Sequence, residues 1–447
     1  MADVLRQAGR QAYLVGGALR DGLLGLVPKD WDVATDAPPD EVMALFRACG
    51  HSVVPTGLRF GTVTVLFRHL PVEVTTFRAE GEYRDYRRPD YVRFAGTIEE
   101  DLSRRDFSIN ALALDLHRSR LVDPFGGRRD LERHLVRTVG RPRERFREDP
   151  LRMLRGFRLV AELGFHLEGG TEVAVGACAD LVTRVAGERI QAELARTLTG
   201  PWAARALEGL AQTGLLFVLV PELAEGWAFP QRHPAHRWPV FQHLIETVRY
   251  TPSRPVTRLA ALFHDVGKPR CFTLGPDGVG HFYGHERLGA AMAGRILRRL
   301  RWDNRTRQTV EVLVRWHMFP LTMAARGIRR LVLRVGEERM EDLLALKQAD
   351  ILATGPANLV PALAALAGFR QRLTEVLAQR QAITLRELAV DGHDVMRLLD
   401  LPPGPTVGRI LRALHEEVLA DPTKNNRTYL EQRLATLARR NFPLADE

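Results

Sequence analysis

The sequence predicts an α+β protein, a mixed α/β head followed by a longer all-α portion. Three observations carry that prediction. The β-branched runs Val63–Phe67 and Val72–Phe77 fall in the first 135 residues or so. Two glycines, Gly16 and Gly17, separate the apolar run Tyr13-Leu14-Val15 from a helical stretch, Ala18 to Leu24, and a short strand around Trp31 follows. Beyond about residue 140, segments rich in Leu, Ala and Arg show helical periodicity with few strand candidates.

At 447 residues the chain is too long for one compact core, and two to four domains are expected. Its 45% apolar content fits a soluble globular protein. A net charge of +10 suits a polyanionic partner. Nearly all the positive charge is arginine, with lysine only at positions 29, 268, 347 and 424. Arginine grips phosphate bidentately and stacks on bases, although a GC-rich genome produces the same bias. Cys49, Cys178 and Cys271 lie far apart, which argues against a disulfide framework and a zinc ribbon. A start unlike a signal peptide and the lack of a bilayer-length apolar run give the expectation of a cytoplasmic protein without a membrane partner.

In the head, Asp30 and Asp32 are one residue apart on a predicted strand, so both carboxylates point to one face while Trp31 packs behind. The upstream glycine turn opens a helix and frees backbone N–H groups for phosphate oxygens. A phosphate cradle beside paired carboxylates is what two-metal phosphoryl transfer requires, with Mg²⁺ bridging a triphosphate. The plainer reading is a glycine turn and two solvated acids. Further along, Val63–Phe67 and Val72–Phe77 are expected to pair across a His69-Leu70-Pro71 turn.

The segment Glu148-Asp149-Pro150-Leu151-Arg152 opens the helical portion. Pro150 suits the first helical position, which makes Asp149 an expected N-cap. Arg152, Arg155 and Arg158 recur every three residues as a stripe on one helix face, with Leu151 and Leu154 toward the core. A solvated stripe is the simpler reading of these arginines. Complementarity suggests more. A carboxylate only accepts and a guanidinium only donates, so Asp149 with Arg152 matches an amino donor beside a ring-nitrogen acceptor. Cytosine and adenine offer that edge; uracil and guanine reverse it.

Several of these segments together resemble the nucleotidyltransferase head of bacterial CCA-adding enzymes and poly(A) polymerases, within the polymerase β-like superfamily. The likeness runs through the Gly16–Asp32 region, Arg104-Arg105-Asp106-Phe107-Ser108-Ile109-Asn110 and Asp123-Pro-Phe-Gly-Gly127. It implies that Asp30 and Asp32 hold Mg²⁺, that Gly17 and Arg20 contact the triphosphate, and that Arg105 contacts the nucleotide. Asp106 is implied near the ribose and Glu73 as a third carboxylate, a position that a surface strand residue would equally fill. It also implies base recognition by Asp149 and Arg152, accompanying phosphate or base contacts from Arg155 and Arg158, and a structural role for Glu188–Leu194.

The segment from Arg78 to Pro89 resembles the flexible loop of CCA- and A-adding enzymes, which CC-adding enzymes typically lack; its composition also fits an ordinary exposed connection. With the tail segments Ala389–Asp394 and Gly404–Leu411, the resemblance covers nearly the whole chain. The implied organisation is a head at 1–137 and a helical neck with the base-recognition segment at 138–200. A helical body with an HD-type domain (201–360) and a tRNA-binding tail (361–447) complete an elongated all-α portion.

In that body, Phe263-His264-Asp265-Val266-Gly267-Lys268 resembles the signature of HD-type metal-dependent phosphohydrolases. His243 and Asp350 match its flanking ligands in order and approximate spacing, and His285 and His317 are candidates for a second metal or a substrate phosphate. Nitrogen and oxygen donors suit Mn²⁺, Ni²⁺, Mg²⁺ or iron. The expected activity is thus CCA addition to tRNA from CTP and ATP without a template, with no obligate protein partner. A-addition and poly(A) synthesis are the alternatives within the class. A phosphohydrolase centred on His264-Asp265, and an RNA-binding protein with both sites inert, are the alternatives outside it.

Overall fold

The computed structural model describes residues 1–80, 92–234, 236–355, 359–378 and 385–441. It comprises two compact units, Met1–Glu225 with Ile296–Trp302, and Gly226–Arg295 with Asp303–Glu447. Among the described residues no helix is long and apolar enough to cross a membrane.

The first unit contains strands β1 (Tyr13–Val15), β2 (Trp31–Thr35), β3 (Ser52–Gly57), β4 (Thr62–Phe67), β5 (Leu70–Thr76), β6 (Arg78–Glu80), β7 (Val92–Phe94), β8 (Ala113–Asp115) and β9 (Arg120–Val122). Seven of them form one sheet in the order β3-β4-β5-β2-β1-β8-β9, while β6 and β7 pair separately. Within the large sheet β2 and β5 are parallel and the other neighbours antiparallel.

Strand alternation separates the two faces. Val33, Val63, Val65, Val72 and Val74 point to one side, where Leu5 of helix Ala2–Gln7 and Val42 and Phe46 of helix Pro39–Ala48 pack onto them. Asp32 and Glu73 point to the other side, directly opposite one another in the β2–β5 register. Trp31 stands opposite Val72 on the apolar side. It is 38% exposed at an apolar hollow with Leu14, Phe67 and Leu70, so it backs the acidic face without being sealed in.

The β4–β5 hairpin differs from expectation in its turn. Phe67 pairs with Leu70, leaving Arg68 and His69 as a two-residue loop, both at positive φ (49° and 69°). Mirror-image turns of this kind match the twist of the flanking strands, and that twist outweighs the proline signal at Pro71. Past residue 130, two short strand pairs, Leu135–Val136 with His166–Leu167 and Thr273–Leu274 with Gly280–His281, interrupt the otherwise helical portion.

Helix Leu151–Leu163 buries Leu151, Leu154 and Phe157, and Gly164 at φ +74° ends it. Pro150 occupies the boundary position expected for Asp149, a displacement of one residue. In the second unit, Pro255 opens helix Pro255–Phe263, and helices Val240–Tyr250, Asn304–Trp316 and Met340–Thr354 pack around it. Downstream helices Gly392–Leu399, Pro405–Ala420 and Arg427–Asn441 share a core of Val395, Ile410, Leu414, Val418, Leu430 and Leu434. Asp391 and Asp394 in the tail form a capping box at the first of these. The 81–89 part of the Arg78–Pro89 loop lies outside the described residues.

Candidate active site and metal centre

The acidic face of the sheet opens into a cavity of about 460 Å³. Gly16 and Gly17 enter it from the start of helix Gly16–Leu23, Asp32 from β2 and Glu73 and Thr75 from β5. Arg104, Arg105, Asp106 and Asn110 line another wall, and Asp149, Arg152, Arg155 and Arg189 a third. The expected residues Gly17, Asp32, Arg105, Asp149, Arg152 and Arg155 are thus brought together, with Glu73 and Asp106.

Asp30, Arg20 and Arg158 are not among the lining residues. Asp30 is exposed, one position before β2, though its charge reaches Asp32. Arg20 is buried and donates to Asp21 Oδ1 (2.6 Å) and Asn110 Oδ1 (2.9 Å). Arg158 lies against Glu193 (3.4 Å) and Glu162 (4.0 Å).

Gly16 has φ +70°, and a Cβ there would stand 3.0 Å from Asp32 Oδ2 and 3.2 Å from Arg105 Nη1. The turn therefore brings bare backbone against the acid it faces. Burial, with the charges of Glu73 and Asp30, pushes the Asp32 carboxyl above its usual range against the opposing pull of Arg105. Oxygen donors carrying surplus negative charge are what a hard divalent cation takes up, so the residues fit the metal that the two-acid reading calls for.

The arginines of helix Leu151–Leu163 are paired with carboxylates rather than forming a solvated stripe. Arg152 is 5% exposed and donates to Glu148 (2.6 Å). Arg155 lies between Glu193 (3.3 Å) and Asp106 (3.7 Å). Asp149 is equally buried; Oδ1 accepts from the Leu151 amide (3.1 Å) and Oδ2 from Arg189 (2.9 Å).

Sequence reasoning missed three participants. Arg189 was grouped with a structural segment, yet it reaches the cavity. Arg104, another lining residue, shares the carboxylate of Asp101 with Arg105, at 2.8 and 3.2 Å. Asp101 is 1% exposed and also accepts from the Arg78 amide. Burial alone would raise its carboxyl, but Arg104 and Arg105 hold it below the ordinary range. Helical spacing from Asp101 to Arg104 and Arg105 was the available signal.

The second unit gathers the other set. His243 Nε2 lies 3.2 Å from His264 Nε2, 3.5 Å from Asp265 Oδ2 and 3.2 Å from Asp350 Oδ1. His285 and His317 approach the other oxygen of Asp265, at 3.2 and 3.6 Å. His243, His264, His285, His317 and Asp265 are buried. The Nδ1 atoms of His264, His285 and His317 each meet the backbone carbonyl three residues earlier, at 2.7–2.8 Å. A carbonyl only accepts, so each ring carries a proton at Nδ1, which leaves Nε2 as the inward-facing atom that a cation can take. Converging ring nitrogens and carboxylate oxygens fit a divalent cation. Lys268 bonds Asp265 Oδ2 (2.7 Å) and Lys347 bonds Asp350 Oδ2 (3.3 Å); both lysines line an adjoining cavity of about 220 Å³.

Comparison with known proteins agrees with this architecture. Residues 12–137 match the poly A polymerase head domain, 164–226 the probable RNA and SrmB-binding site of polymerase A, and 287–434 the putative tRNA nucleotidyltransferase domain 2. The CCA-adding enzyme of Geobacillus thermodenitrificans is 48% identical over 53% of the chain, and that alignment spans 57% of the relative's length. The A-adding tRNA nucleotidyltransferase of Deinococcus radiodurans is 38% identical over 91% of each chain. The crystal structure of the Bacillus stearothermophilus CCA-adding enzyme in complex with CTP superposes with a TM-score of 0.72 at 29% identity, covering 98% of this chain and 96% of that one. A divalent-metal requirement accompanies this kinship. With a nucleotidyltransferase head, a helical body and a full-length relative at this identity, the chain belongs to the tRNA nucleotidyltransferase family of CCA-adding and A-adding enzymes.

Proposed function

We propose that this protein adds the 3′-terminal CCA to tRNA, taking CTP and ATP in turn without a nucleic-acid template. The observation that carries the reading is one cavity holding Asp32 and Glu73 side by side, the glycine turn, and the Asp149–Arg152 pair. Asp32, with Glu73 opposite it and Asp30 one position before the same strand, would hold Mg²⁺. Bound there, Mg²⁺ would neutralise the triphosphate and activate the tRNA 3′-hydroxyl, whose oxygen forms the new phosphodiester at the α-phosphate as the α–β bond breaks and pyrophosphate leaves. Gly17 and its neighbouring amides cradle the phosphates at the helix start, with Arg20 behind them. Arg105 orients the nucleotide, and Arg155 and Arg158 brace the base site. Asp149 accepts from the exocyclic amine of C or A while Arg152 donates to the ring nitrogen. Purified protein given tRNA lacking its 3′ end should extend it by three residues only when both CTP and ATP are present. Absence of any nucleotide-dependent extension overturns the reading.

A-addition is the second reading, favoured by the full-length likeness to the Deinococcus enzyme. It predicts extension by a single A, and only on tRNA already ending in CC. The buried histidine cluster is proposed as an HD-type centre in which His243, His264, Asp265 and Asp350 hold one divalent cation, with phosphohydrolase activity. His264→Ala should remove bound metal and any phosphatase activity while leaving CCA addition intact.

A further inference from the structure

We infer that Arg189 is a specificity-determining positioning residue that orients Asp149 for base selection; this rests on the nucleotidyl-transfer reading. Asp149 is 5% exposed, and each of its oxygens has one protein donor, the Leu151 amide on Oδ1 and Arg189 on Oδ2. Two donors from different directions fix the plane of the carboxylate. Each oxygen keeps a second lone pair for an incoming amine. Only one of the two donors belongs to helix Leu151–Leu163, which carries Arg152 and which Asp149 precedes by two positions. The other comes from helix Gly187–Thr199, 40 positions along the chain.

That helix is itself braced against the base site. One turn beyond Arg189, Glu193 takes Arg155 at 3.3 Å and Arg158 at 3.4 Å. Arg189 is thus held by its own scaffold and does not depend on the nucleotide for its position. Without it, the Asp149 carboxylate keeps a single anchor and can rotate toward Arg152 or Arg155. Its acceptor then no longer lines up with the exocyclic amine, and the donor–acceptor order that excludes uracil and guanine is lost. A neutral side chain at 189 also leaves a buried carboxylate without its ion pair, which is costly unless the group reorients.

The test compares Arg189→Met and Arg189→Lys with the wild-type chain, measuring kcat and KM for CTP, ATP, UTP and GTP on tRNA acceptors. Arg189→Met should lower kcat/KM for CTP and ATP by on the order of 10- to 100-fold, mainly through KM, and narrow discrimination against UTP and GTP by a similar factor. Arg189→Lys, which keeps the charge but loses the planar fork, should recover part of the selectivity. Thermal melts before the assay identify a variant that fails to fold, in which case Arg189→Gln serves as the neutral substitution. A folded neutral variant that selects C and A as strictly as wild type overturns the inference. Wild-type protein that extends no tRNA would instead overturn the underlying reading.

Discussion

Gly16→Ala puts the geometry of the acidic cleft to its sharpest test. The residue sits at φ +70°, where a side chain costs roughly 1–2 kcal/mol. The new Cβ would stand 3.0 Å from Asp32 Oδ2, so the carboxylate must give way by a few tenths of an ångström. Metal–ligand distances are set to within about 0.2 Å, so that displacement exceeds what coordination tolerates. The loss of stability corresponds to roughly 2–8 °C in the melting of a unit of this size. Against a typical stability of about 5–15 kcal/mol the variant stays folded at 25 °C. Activity should nonetheless fall by on the order of 100-fold, the scale associated with misplaced catalytic groups. Gly17→Ala is the control for folding, because its Cβ meets only Arg20 Nη2 at an ordinary 3.6 Å. Calorimetry and a primer-style extension gel on both variants separate the two effects. A Gly16→Ala protein with wild-type kcat/KM would refute the argument that bare backbone is needed against Asp32.

Other consequences follow from the same structure. Glu73→Gln keeps the shape of the cleft but removes one of the charges crowding Asp32, and extension should slow by about 10- to 1,000-fold with little change in melting temperature. Asp101→Asn strands Arg104 and Arg105 without their shared carboxylate and should destabilise the first unit by roughly 3–5 kcal/mol, read from denaturant titration. Because the Asp101 carboxyl is held low in the fold, its contribution is present above about pH 4 and is lost as pH falls through the folded value. Acidification from pH 7.5 to about 4 should release divalent metal from the histidine cluster, measured by elemental analysis after desalting. Burial holds His317 down to about 4, so its stabilising contribution is complete above about pH 6.5 and fades as pH falls toward 4. His264, which Asp265 and Asp350 raise against the effect of burial, acts in the opposite sense.

Much of the wall of the acidic cleft was legible because it obeys local periodicity. Two-residue alternation placed Asp32 on the face away from Trp31, and the hydrophobic step from β-branched to Leu-rich segments marked where the sheet ends. The residues of the histidine cluster were singled out through a resemblance, although four helix regions had to converge before their Nε2 atoms met. Arg189 was hidden for a physical reason. Its partner lies 40 residues away, and an ERIQAEL segment reads as an ordinary amphipathic turn until the helices pack. The pairing of Arg155 and Arg158 with Glu193 was hidden in the same way, since a three-residue spacing of arginines describes a stripe whether water or carboxylates cover it. The hairpin turn was misplaced because twist matching between β4 and β5, a property of the paired strands, decided it over the composition of the connecting residues.

The carbonyl behind each of three imidazoles has a thermodynamic corollary. Ala261, Phe282 and Val314 are backbone positions of the very helical turns or ends that present the rings, so each tautomer is chosen as soon as its turn winds. Those three rings are therefore oriented before any ion arrives, and they lose little further ordering entropy on capture. Occupancy in the cell then follows the free concentrations and exchange rates of competing cations.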